Sequence, residues 1–357
     1  MAKQHVIVVG AGIIGSAVAL ALVQQGAQVT LVDRDDPAQN ASYGSLAWLN
    51  VSSCTDPVYG AVRLQSLSMW HGIAEQTDCP VSLPGALIWE QDAQGIADQV
   101  ALLSDMGAPA RQVTQSEIGQ LEPGLAIRPD AALYSPIEGY AYPGLVADWF
   151  SIAAEDMGAT VHDGIEVRNL VTEGGRVTGV RLTDGEILSA DHVVVAAGAG
   201  TVDLLGGLNQ SIPLLRSPGL LVRSTPGAPI AAHFLATPDV HFWQSSDGWV
   251  LAGADYSGAP SSDDTDHAAQ QILDDVMGLL PGIGPLQVDE IIIRDRPMPK
   301  DDRPLVGRVP NLDGLYVATT HSGMTLAPLI GAVVAEEVLT GEDLSQFAPY
   351  RPDRVIG

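Results

Sequence analysis

The sequence predicts an α/β protein that combines a Rossmann-type domain, built from discontinuous segments, with a second, strand-rich α+β domain. Three observations support this fold class. The chain opens with the β-branched run Val6–Val9, a glycine-rich turn and an apolar helix. The same order of strand, glycine-containing turn and helix returns near the other end, at Leu315–Gly341. Many of the segments between these two elements have the short, β-branched patterns of strands.

A Gly-x-Gly-x-x-Gly pattern follows the first strand. Gly10 permits a tight turn, Gly12 lets the backbone approach a pyrophosphate, and Gly15 allows the next helix to pack closely on the strand. We expect that helix over Ser16–Gln25, with the partial positive charge of its N-terminus facing the phosphates. The pattern therefore predicts a dinucleotide site, and by itself it leaves NAD and FAD open.

A second strand is predicted at Gln28–Val32, with Asp33 at its end. Asp33 follows Gly15 by eighteen residues. This is close to the spacing of the carboxylate that accepts hydrogen bonds from a dinucleotide ribose. The charge of Asp33 disfavours a 2′-phosphate, so NADP is the dinucleotide that we expect least.

The uncharged segment Val6–Val23 also has the length of a signal peptide or a membrane span. Its glycine spacing and the strand that follows favour the dinucleotide-binding interpretation instead. No other segment is expected to be long and apolar enough to span a bilayer. We therefore predict a cytoplasmic protein without a membrane span.

The composition indicates a large folded core, because 46% of the 357 residues are hydrophobic and 17% are charged. The formal net charge of −26 would repel a nucleic acid and an anionic membrane surface. Cys54 and Cys79 are too few for a disulfide framework, and we expect free thiols, with one optional disulfide left open. His71, His162 and His192 have no partners at metal-ligand spacing, so no metal site is predicted.

The remaining elements follow from periodicity and turn residues. Helices are expected over Asp56–Gln76, Ile96–Met106, Leu145–Gly158, Asp266–Leu280 and Leu326–Leu339. Strands are expected over Val81–Gln91, Thr160–Leu170, Gly175–Thr183, Ile187–Ala197, Val240–Trp243, Trp249–Gly253, Val288–Arg296 and Leu315–Thr319, with a β-meander from 160 to 197. Residues 1–80, 141–210 and 297–357 are expected to form the dinucleotide-binding domain, and residues 81–140 and 211–296 the substrate-binding domain.

Five segments, in their order and spacing, carry a resemblance that covers nearly the whole chain. They are Val6–Gly15, Ala41–Trp48, Ala196–Ala199, Arg296–Gly307 and Gly314–Pro328. The chain resembles the FAD-dependent D-amino acid oxidase, glycine oxidase and sarcosine oxidase family. The resemblance implies FAD as the cofactor. It also implies oxidation of the C–N bond of a small amino acid or N-alkyl amino acid by hydride transfer to the flavin, with later hydrolysis of the imine.

The resemblance also implies which residues bind FAD. In the family, the segment matching Ser42–Trp48 lies along the pyrophosphate and the flavin ring, and the position matching Val167 contacts the adenine through its backbone. A helix that begins near Gly323 would direct N–H groups at the anionic reduced flavin. The expected cofactor-binding residues are Gly10, Gly12, Ile13, Ile14, Gly15, Asp33, Arg34, Ser42, Gly44, Ser45, Ala47, Trp48, Val167, Ala197, Gly198, Gly323, Met324 and Thr325.

One branch of the family attaches its flavin through a cysteine near the Arg-Pro pair. Residues 297–307 contain no cysteine, so we expect non-covalent FAD. Arg296 matches the arginine that holds the substrate carboxylate in the family, and guanidinium geometry suits bidentate carboxylate binding. Arg294 shares the same strand face. His321 is a second catalytic candidate that could contact the flavin, orient the substrate or bind a backbone carbonyl. Trp48, Trp243 and Tyr256 are candidate pocket walls.

Several functional alternatives stay open at this point. An NAD-dependent dehydrogenase and a non-catalytic FAD-binding protein both fit the Rossmann pattern, whereas a nucleic-acid-modifying flavoprotein is disfavoured by the net charge. Oxygen, a quinone or another electron carrier could reoxidise the flavin. The expected partners are a small amino-acid-like substrate and this acceptor, and a homo-oligomer is compatible with the sequence.

Overall fold

The computed structural model describes residues 3–36, 38–254 and 264–356, and only the backbone of Arg216. The chain forms two compact units. The first unit comprises Met1–Tyr43, Tyr142–Ser217 and Asp295–Gly357, and the second unit comprises Gly44–Ala141 and Pro218–Arg294. The assignment of dinucleotide binding and substrate binding to separate domains stays a prediction.

The described residues contain helices α1–α8 and strands β1–β20. In chain order, α1–α8 span Ile13–Gln24, Pro57–Gln76, Ala93–Asp105, Gln115–Leu121, Leu145–Asp156, Thr201–Gly206, Thr265–Leu279 and Gly323–Thr340. Strands β1–β10 span His5–Val9, Gln28–Val32, Trp48–Leu49, Val81–Ser82, Ala86–Ile88, Arg111–Thr114, Ala131–Ser135, Gly139–Ala141, Thr160–His162 and Val167–Glu173. Strands β11–β20 span Arg176–Leu182, Ile187–Ser189, His192–Val195, Leu214–Ser224, Phe234–Ala236, His241–Gln244, Val250–Gly253, Val288–Pro299, Leu305–Arg308 and Leu315–Thr319.

The first unit is built on a six-stranded sheet in the order β19-β20-β13-β1-β2-β9. All neighbouring pairs are parallel except β19 with β20. Residues Val6–Val9 are buried, as expected of a parallel strand that is covered on both faces. Helices α1 and α8 pack so closely that a Cβ added at Gly331 would lie 2.7 Å from the carbonyl oxygen of Ala17. The predicted α/β fold class is confirmed.

The predicted β-meander in the first unit is only partly correct. Strands β10, β11 and β12 do form an antiparallel sheet. The predicted strand Thr160–Leu170, however, divides into β9, which joins the parallel sheet, and β10. Gly164 lies in the turn between them at φ +68°. The predicted strand Ile187–Ala197 likewise divides into β12 and β13, which belong to different sheets.

The second unit contains most of an eight-stranded sheet in the order β18-β14-β17-β16-β15-β5-β7-β6, in which β14 and β18 have residues in both units. A small sheet, β3-β8-β4, belongs wholly to the second unit. The prediction of one strand over Val81–Gln91 is wrong. This segment forms β4 and β5, separated at Gly85, whose φ of +101° interrupts an extended strand.

The predicted helices are present, and two of them illustrate the local signals. The side chain of Asp56 accepts a hydrogen bond from the backbone N–H of Val58 and caps α2. Helix α8 has 18 residues with a mean hydropathy of 1.4, so by length and composition it could cross a membrane. This contradicts the prediction that no segment beyond Val6–Val23 would qualify. However, 78% of the helix is buried inside the protein, as expected of a core helix.

Candidate active site

The glycine-rich turn after β1 lies beside the end of β13. Gly10 has φ +104°, and its N–H donates to the carbonyl of Val32 at 2.8 Å. A Cβ added at Gly10 would lie 2.6 Å from the carbonyl oxygen of Ala196 and 2.9 Å from Cα of Ala197. A Cβ at Gly15 would collide with the carbonyl oxygen of Gly10. These contacts explain why both positions require glycine.

The start of α1 is bound by a hydroxyl from a later loop. The N–H of Ile13 donates to Oγ of Ser42 at 2.9 Å, and a Cβ added at Gly12 would lie 3.0 Å from the same oxygen. The start of α8 lies against the start of α1. A Cβ added at Gly323 would be 3.3 Å from Cγ2 of Ile13 and 3.6 Å from Cγ1 of Ile14. The structure thus brings together two helix N-termini, both of which favour negative charge.

Asp33 is fixed at the end of β2 by backbone groups. Oδ2 accepts from the N–H of Ala11 at 2.5 Å, and Oδ1 accepts from the N–H of Asp35 at 3.1 Å. Burial raises the pKa of Asp33, and the N–H groups of Asp35 and Ala11 offset part of this effect. The carbonyl of Asp33 accepts from the N–H of Ile165 at 2.9 Å, which brings the segment leading into Val167 to this strand end. A role of Asp33 toward a ribose stays a prediction.

Arg34 and Val167 are predicted cofactor residues on this side of the first unit. Arg34 Nε lies 3.2 Å from Asp35 Oδ2, and its Nη1 lies 4.0 Å from Glu166 Oε1. Its side chain is exposed, whereas Val167 is buried. The structure places both residues near the end of β2.

The Arg-Pro pair lies beside the turn that follows β13. Gly198 has φ +54°, and a Cβ added there would lie 4.0 Å from Cγ of Pro297. The guanidinium of Arg296 is held by Ser217: Nε donates to its carbonyl oxygen at 3.1 Å, and Nη2 donates to its Oγ at 2.7 Å. Arg296 is half-buried. Its side chain is therefore oriented before any ligand binds.

His321 lies between β20 and α8 and is exposed. Met324 and Thr325, in the first turn of α8, are buried. The carboxyl ends of the parallel strands of the first unit all lie at one edge of the sheet. The turns that follow β1, β13 and β20 begin at this edge. In open α/β sheets this edge binds the ligand.

Four predicted cofactor residues belong to the second unit. Gly44 is buried, and an added Cβ would collide with Cβ and Cγ of Arg294. Ala47 has φ +55°, and its N–H donates to Oγ of Ser45 at 2.9 Å. Trp48 is half-buried and stacks on Phe234, with ring centroids 4.6 Å apart and planes at 10°. This segment is thus tightly constrained within its own unit.

No sequence pattern points to Glu138, which the structure places against this segment. Its carboxylate is 0% exposed. Oε1 accepts from the N–H groups of Val51 at 2.9 Å and Ser52 at 2.7 Å, and Oε2 accepts from Oγ of Ser52 at 2.9 Å and Nε1 of Trp48 at 3.0 Å. Burial raises the pKa of Glu138, and the N–H groups of Val51 and Ser52 work in the opposite direction.

Trp243 and Tyr256 are two of the three predicted pocket walls. Trp243 is 0% exposed, stacks on Tyr140 at 4.1 Å and donates its indole N–H to the carbonyl of Leu46 at 2.8 Å. It is therefore a core residue, contrary to its predicted place in a pocket wall. Tyr256 lies outside the described residues. Within residues 3–36, 38–254 and 264–356, no group of three or more His, Cys, Asp or Glu side chains could hold a metal ion.

The residues of the first unit fit a dinucleotide cofactor. The turn at Gly12 leaves room at a helix N-terminus that any side chain would fill, which is the arrangement a pyrophosphate requires. Two hydroxyls that follow β13 and end β20, Thr201 Oγ1 and Thr319 Oγ1, are buried without a hydrogen-bond partner among the described residues. Buried polar groups of this kind are usually bonded in the complete molecule.

Comparison with known proteins identifies the cofactor. Residues 5–337 match the family described as FAD dependent oxidoreductase. Glycine oxidase of Pseudomonas aeruginosa is 25% identical over 367 residues, covering 98% of this chain and 99% of that protein. The uncharacterized oxidoreductase YurR of Bacillus subtilis is 29% identical over 368 residues, covering 97% and 98%. The glycine oxidase structure from Geobacillus kaustophilus shares the fold, with a TM-score of 0.88 at 23% identity over 99% of this chain and 100% of that one. The chain therefore belongs to the FAD dependent oxidoreductase family, and its cofactor is FAD rather than NAD.

Proposed function

We propose that this protein oxidises the C–N bond of a small amino acid or N-alkyl amino acid. The family match supports an FAD-dependent oxidation, and the Pseudomonas aeruginosa relative is named for glycine. The observation that carries the proposal is the position of the Arg-Pro pair in the first unit. Pro297 lies 4.0 Å from a Cβ built at Gly198, next to the ligand-binding edge of the parallel sheet. This position supports a role for Arg296 in binding the substrate carboxylate beside the expected flavin site.

Arg296 is the residue that would bind the substrate carboxylate. Its guanidinium forms charge-assisted hydrogen bonds that suit a carboxylate, and Ser217 already fixes its orientation. A side chain that is ordered in advance loses less conformational entropy when the ligand binds. Binding at the carboxylate also orients the neighbouring amine-bearing carbon, and such positioning can supply much of a rate enhancement.

FAD, when bound, supplies the two-electron chemistry that no side chain of the protein provides. Gly10, Gly12 and the start of α1 would hold the pyrophosphate, Asp33 would accept hydrogen bonds from the ribose, and the start of α8 would face the flavin. The absence of cysteine from residues 297–307 supports non-covalent binding. The substrate would lose a hydride from carbon and a proton from nitrogen, and water would then convert the imine to a carbonyl and release the amine.

The cofactor assignment is tested by a glycine substitution. Gly15→Ala should abolish or strongly weaken FAD binding, because its Cβ would collide with the carbonyl of Gly10 and displace the glycine-rich turn. Gly278→Ala in α7 is the control, since no atom lies within 4 Å of its added Cβ. Flavin content would be measured from absorbance after dialysis. Equal flavin retention by both variants would contradict the assignment.

The activity is tested by visible absorbance of the purified protein before and after anaerobic addition of D-, L- and N-methyl amino acids. We expect the flavin bands to bleach with one group of substrates. Arg296→Ala should raise the apparent Kd for those substrates about 10- to 100-fold, since a hydrogen bond to a charged group is worth about 1.5–3 kcal/mol. Arg111→Ala, which removes an exposed arginine, is the matched control.

Two outcomes would contradict parts of the proposal, and a third measurement would identify the electron acceptor. Unchanged substrate affinity in Arg296→Ala would refute the role of that arginine. Bound flavin that no amine in the panel bleaches would favour a non-catalytic FAD-binding protein. Reoxidation of the bleached enzyme by air-saturated buffer would support an oxidase, whereas reoxidation by an added quinone alone would support a dehydrogenase.

A further inference from the structure

We propose that the hydroxyls of Thr201 and Thr319 form a polar site inside the first unit and bind one shared, neutral partner. The partner is an oxygen or nitrogen atom that forms a hydrogen bond with each hydroxyl. It belongs either to an enclosed water molecule or to bound FAD, and the affinity for FAD separates these two sources. The inference does not depend on the substrate or on the oxidation proposed above.

Both hydroxyls are buried without a partner. Thr201 is 0% exposed and Thr319 is 2% exposed. Within the part of the chain that the structure describes, neither Oγ1 atom has a hydrogen-bond partner. Bulk solvent cannot supply one at this depth. Burying a hydroxyl without a hydrogen bond is costly, and most such groups in folded proteins are bonded to protein or to ordered water. Two orphaned hydroxyls in one unit therefore point to a ligand.

Other buried threonines of the same unit do have partners. Thr30 lies in β2, and its Oγ1 is 2.9 Å from Nε2 of His5. Thr320 directly follows Thr319, and its Oγ1 accepts from the backbone N–H two positions later at 3.2 Å. The fold thus bonds these two hydroxyls through its own groups. Among the described residues it offers no such group to Thr201 or Thr319.

Thr319 faces the apolar core of the first unit at the end of β20. Side chains alternate along a strand, so Leu315, Val317 and Thr319 point to the same face of the sheet. Leu315 and Val317 both belong to the apolar core cluster of this unit. Val317 lies opposite Val195, the last residue of β13. Thr319 therefore lies on the core side of the sheet, just beyond the end of β13.

Thr201 approaches the same core from α6, the helix that follows β13. Thr201 and Leu205 are about one helical turn apart, so they share a face of α6, and both are 0% exposed. Leu205 belongs to the same core cluster as Val195 and Val317. The two hydroxyls therefore reach one core from two chain segments, and a shared partner would connect α6 to β20.

The surroundings determine the chemical class of the partner. The core cluster is apolar, and a charged group is costly to bury there without a counter-charge. This disfavours a phosphate or a carboxylate. A threonine hydroxyl can donate one hydrogen bond and also accept. The pair can therefore hold a neutral group that donates, accepts or does both. A buried water makes about two to four hydrogen bonds, and two hydroxyls meet the lower bound.

Threonine-to-valine substitutions test the site, because valine keeps the branched shape and removes only the hydroxyl. Thr201→Val, Thr319→Val and their double variant would be compared with the parent protein by urea unfolding of the FAD-loaded full chain. Each single substitution should raise the unfolding equilibrium constant about 2- to 10-fold, as expected for the loss of one hydrogen bond. The double variant should raise it by less than the product of the two factors, since both hydroxyls bind the same partner.

Thr30→Val is the matched control. It removes a buried hydroxyl whose partner is His5, so it should also raise the unfolding equilibrium constant. In the sheet order, β1 and β13 lie between β2 and β20. The effects of Thr30→Val and Thr319→Val should therefore multiply, as expected for sites that do not share a partner.

The Kd for FAD, measured by equilibrium dialysis without turnover, identifies the source of the partner. If the partner is an enclosed water, both single variants should bind FAD with the Kd of the parent protein. If the partner is an atom of FAD, the Kd should rise by the same factor as the unfolding equilibrium constant at saturating FAD. In either case, a crystal structure of the FAD-loaded protein should show electron density for one atom within hydrogen-bond distance of both Oγ1 atoms.

Several results would overturn the inference. Greater stability of either single variant would do so, because valine is favoured where a buried hydroxyl has no partner. Unchanged stability, multiplying effects in the double variant, or a crystal structure without the shared atom would have the same meaning. The crystal structure decides alone if a valine variant does not fold. Failure of every amine to bleach the flavin would contradict the proposed function and leave these measurements unaffected.

Discussion

Replacing Glu337 by alanine should destabilise the first unit by about 3–5 kcal/mol. Glu337 lies in α8 and is 0% exposed. Its Oε2 accepts from the hydroxyl of Tyr316 at 2.6 Å and from Nη1 of Arg351 at 2.7 Å, and its Oε1 accepts from Nη2 of Arg351 at 2.5 Å and from the N–H of Leu344 at 2.8 Å. The carboxylate thus connects α8, β20 and the segment after α8.

The magnitude follows from what the substitution leaves behind. Arg351 is only 13% exposed, so Glu337→Ala would leave a buried cation without its carboxylate, together with the Tyr316 hydroxyl and the Leu344 N–H. Hydrogen bonds to charged groups are worth about 1.5–3 kcal/mol each, but their sum overstates the cost because water can enter the space. Removal of one partner of a buried ion pair typically costs about 3–5 kcal/mol.

Asp343→Ala provides the control. Asp343 Oδ1 lies 3.4 Å from Nη1 of Arg308 in a solvent-exposed pair, and such pairs contribute less than about 1 kcal/mol. Urea unfolding of FAD-saturated protein, followed by far-UV circular dichroism, would measure both variants. Glu337 lies fourteen residues after Gly323, about 21 Å along the helix, so the Kd for FAD should not change. Equal stability loss in the two variants, or weakened FAD binding without lost stability, would refute this reasoning.

Three further predictions concern the two cysteines, Glu117 and Gly72. Burial raises the pKa of Cys79 to about 12 and also raises the pKa of Cys54. A thiol reagent at pH 8 should therefore label both cysteines only after the protein unfolds. Rapid labelling of the native protein would contradict this prediction. The N–H of Thr114 lowers the pKa of Glu117, so this carboxylate stabilises the protein above its unfolded-state pKa, and the contribution is lost as pH falls through the lowered folded-state pKa. In Glu117→Gln, the free energy of unfolding should therefore fall less steeply as the pH is lowered through the acidic range. An unchanged slope would contradict this prediction. Gly72→Ala should raise stability in thermal unfolding by about 0.5–1 kcal/mol, because nothing lies within 4 Å of its added Cβ; a lower Tm would contradict this.

The parts of the fold predicted best are those with local signals. Strands β2 and β20 have the predicted bounds, since short buried β-branched runs end at clear turn residues. Helix α8 begins at Gly323, which agrees with the start near Gly323 expected for a flavin-facing helix and lies three residues before Leu326, the start of the predicted helical segment. Its first turn contains Gly323, a weak helix former, and Pro328 lies inside the helix. Helix packing outweighs these local preferences.

The parts that could not be predicted depend on distant residues. Glu138 and Trp48 are 90 positions apart, and no spacing rule connects them. The antiparallel edge strand β19 is defined by its pairing with β20. The position of Gly44 against Arg294 likewise becomes visible only in the folded chain. Periodicity reports which face of an element is buried, but it does not report which element covers that face.

The sheet order of the first unit has a consequence for synthesis on the ribosome. Strand β1 pairs with β2, which follows it closely, and with β13, which begins at His192. At about 5–20 residues per second, roughly 10–40 s pass between the emergence of β1 and that of β13. During this interval a strand that is apolar from Val6 to Val9 has one unpaired edge, and β20 follows later still. The nascent chain should therefore depend on chaperones that shield this edge more than a protein with local strand pairing would.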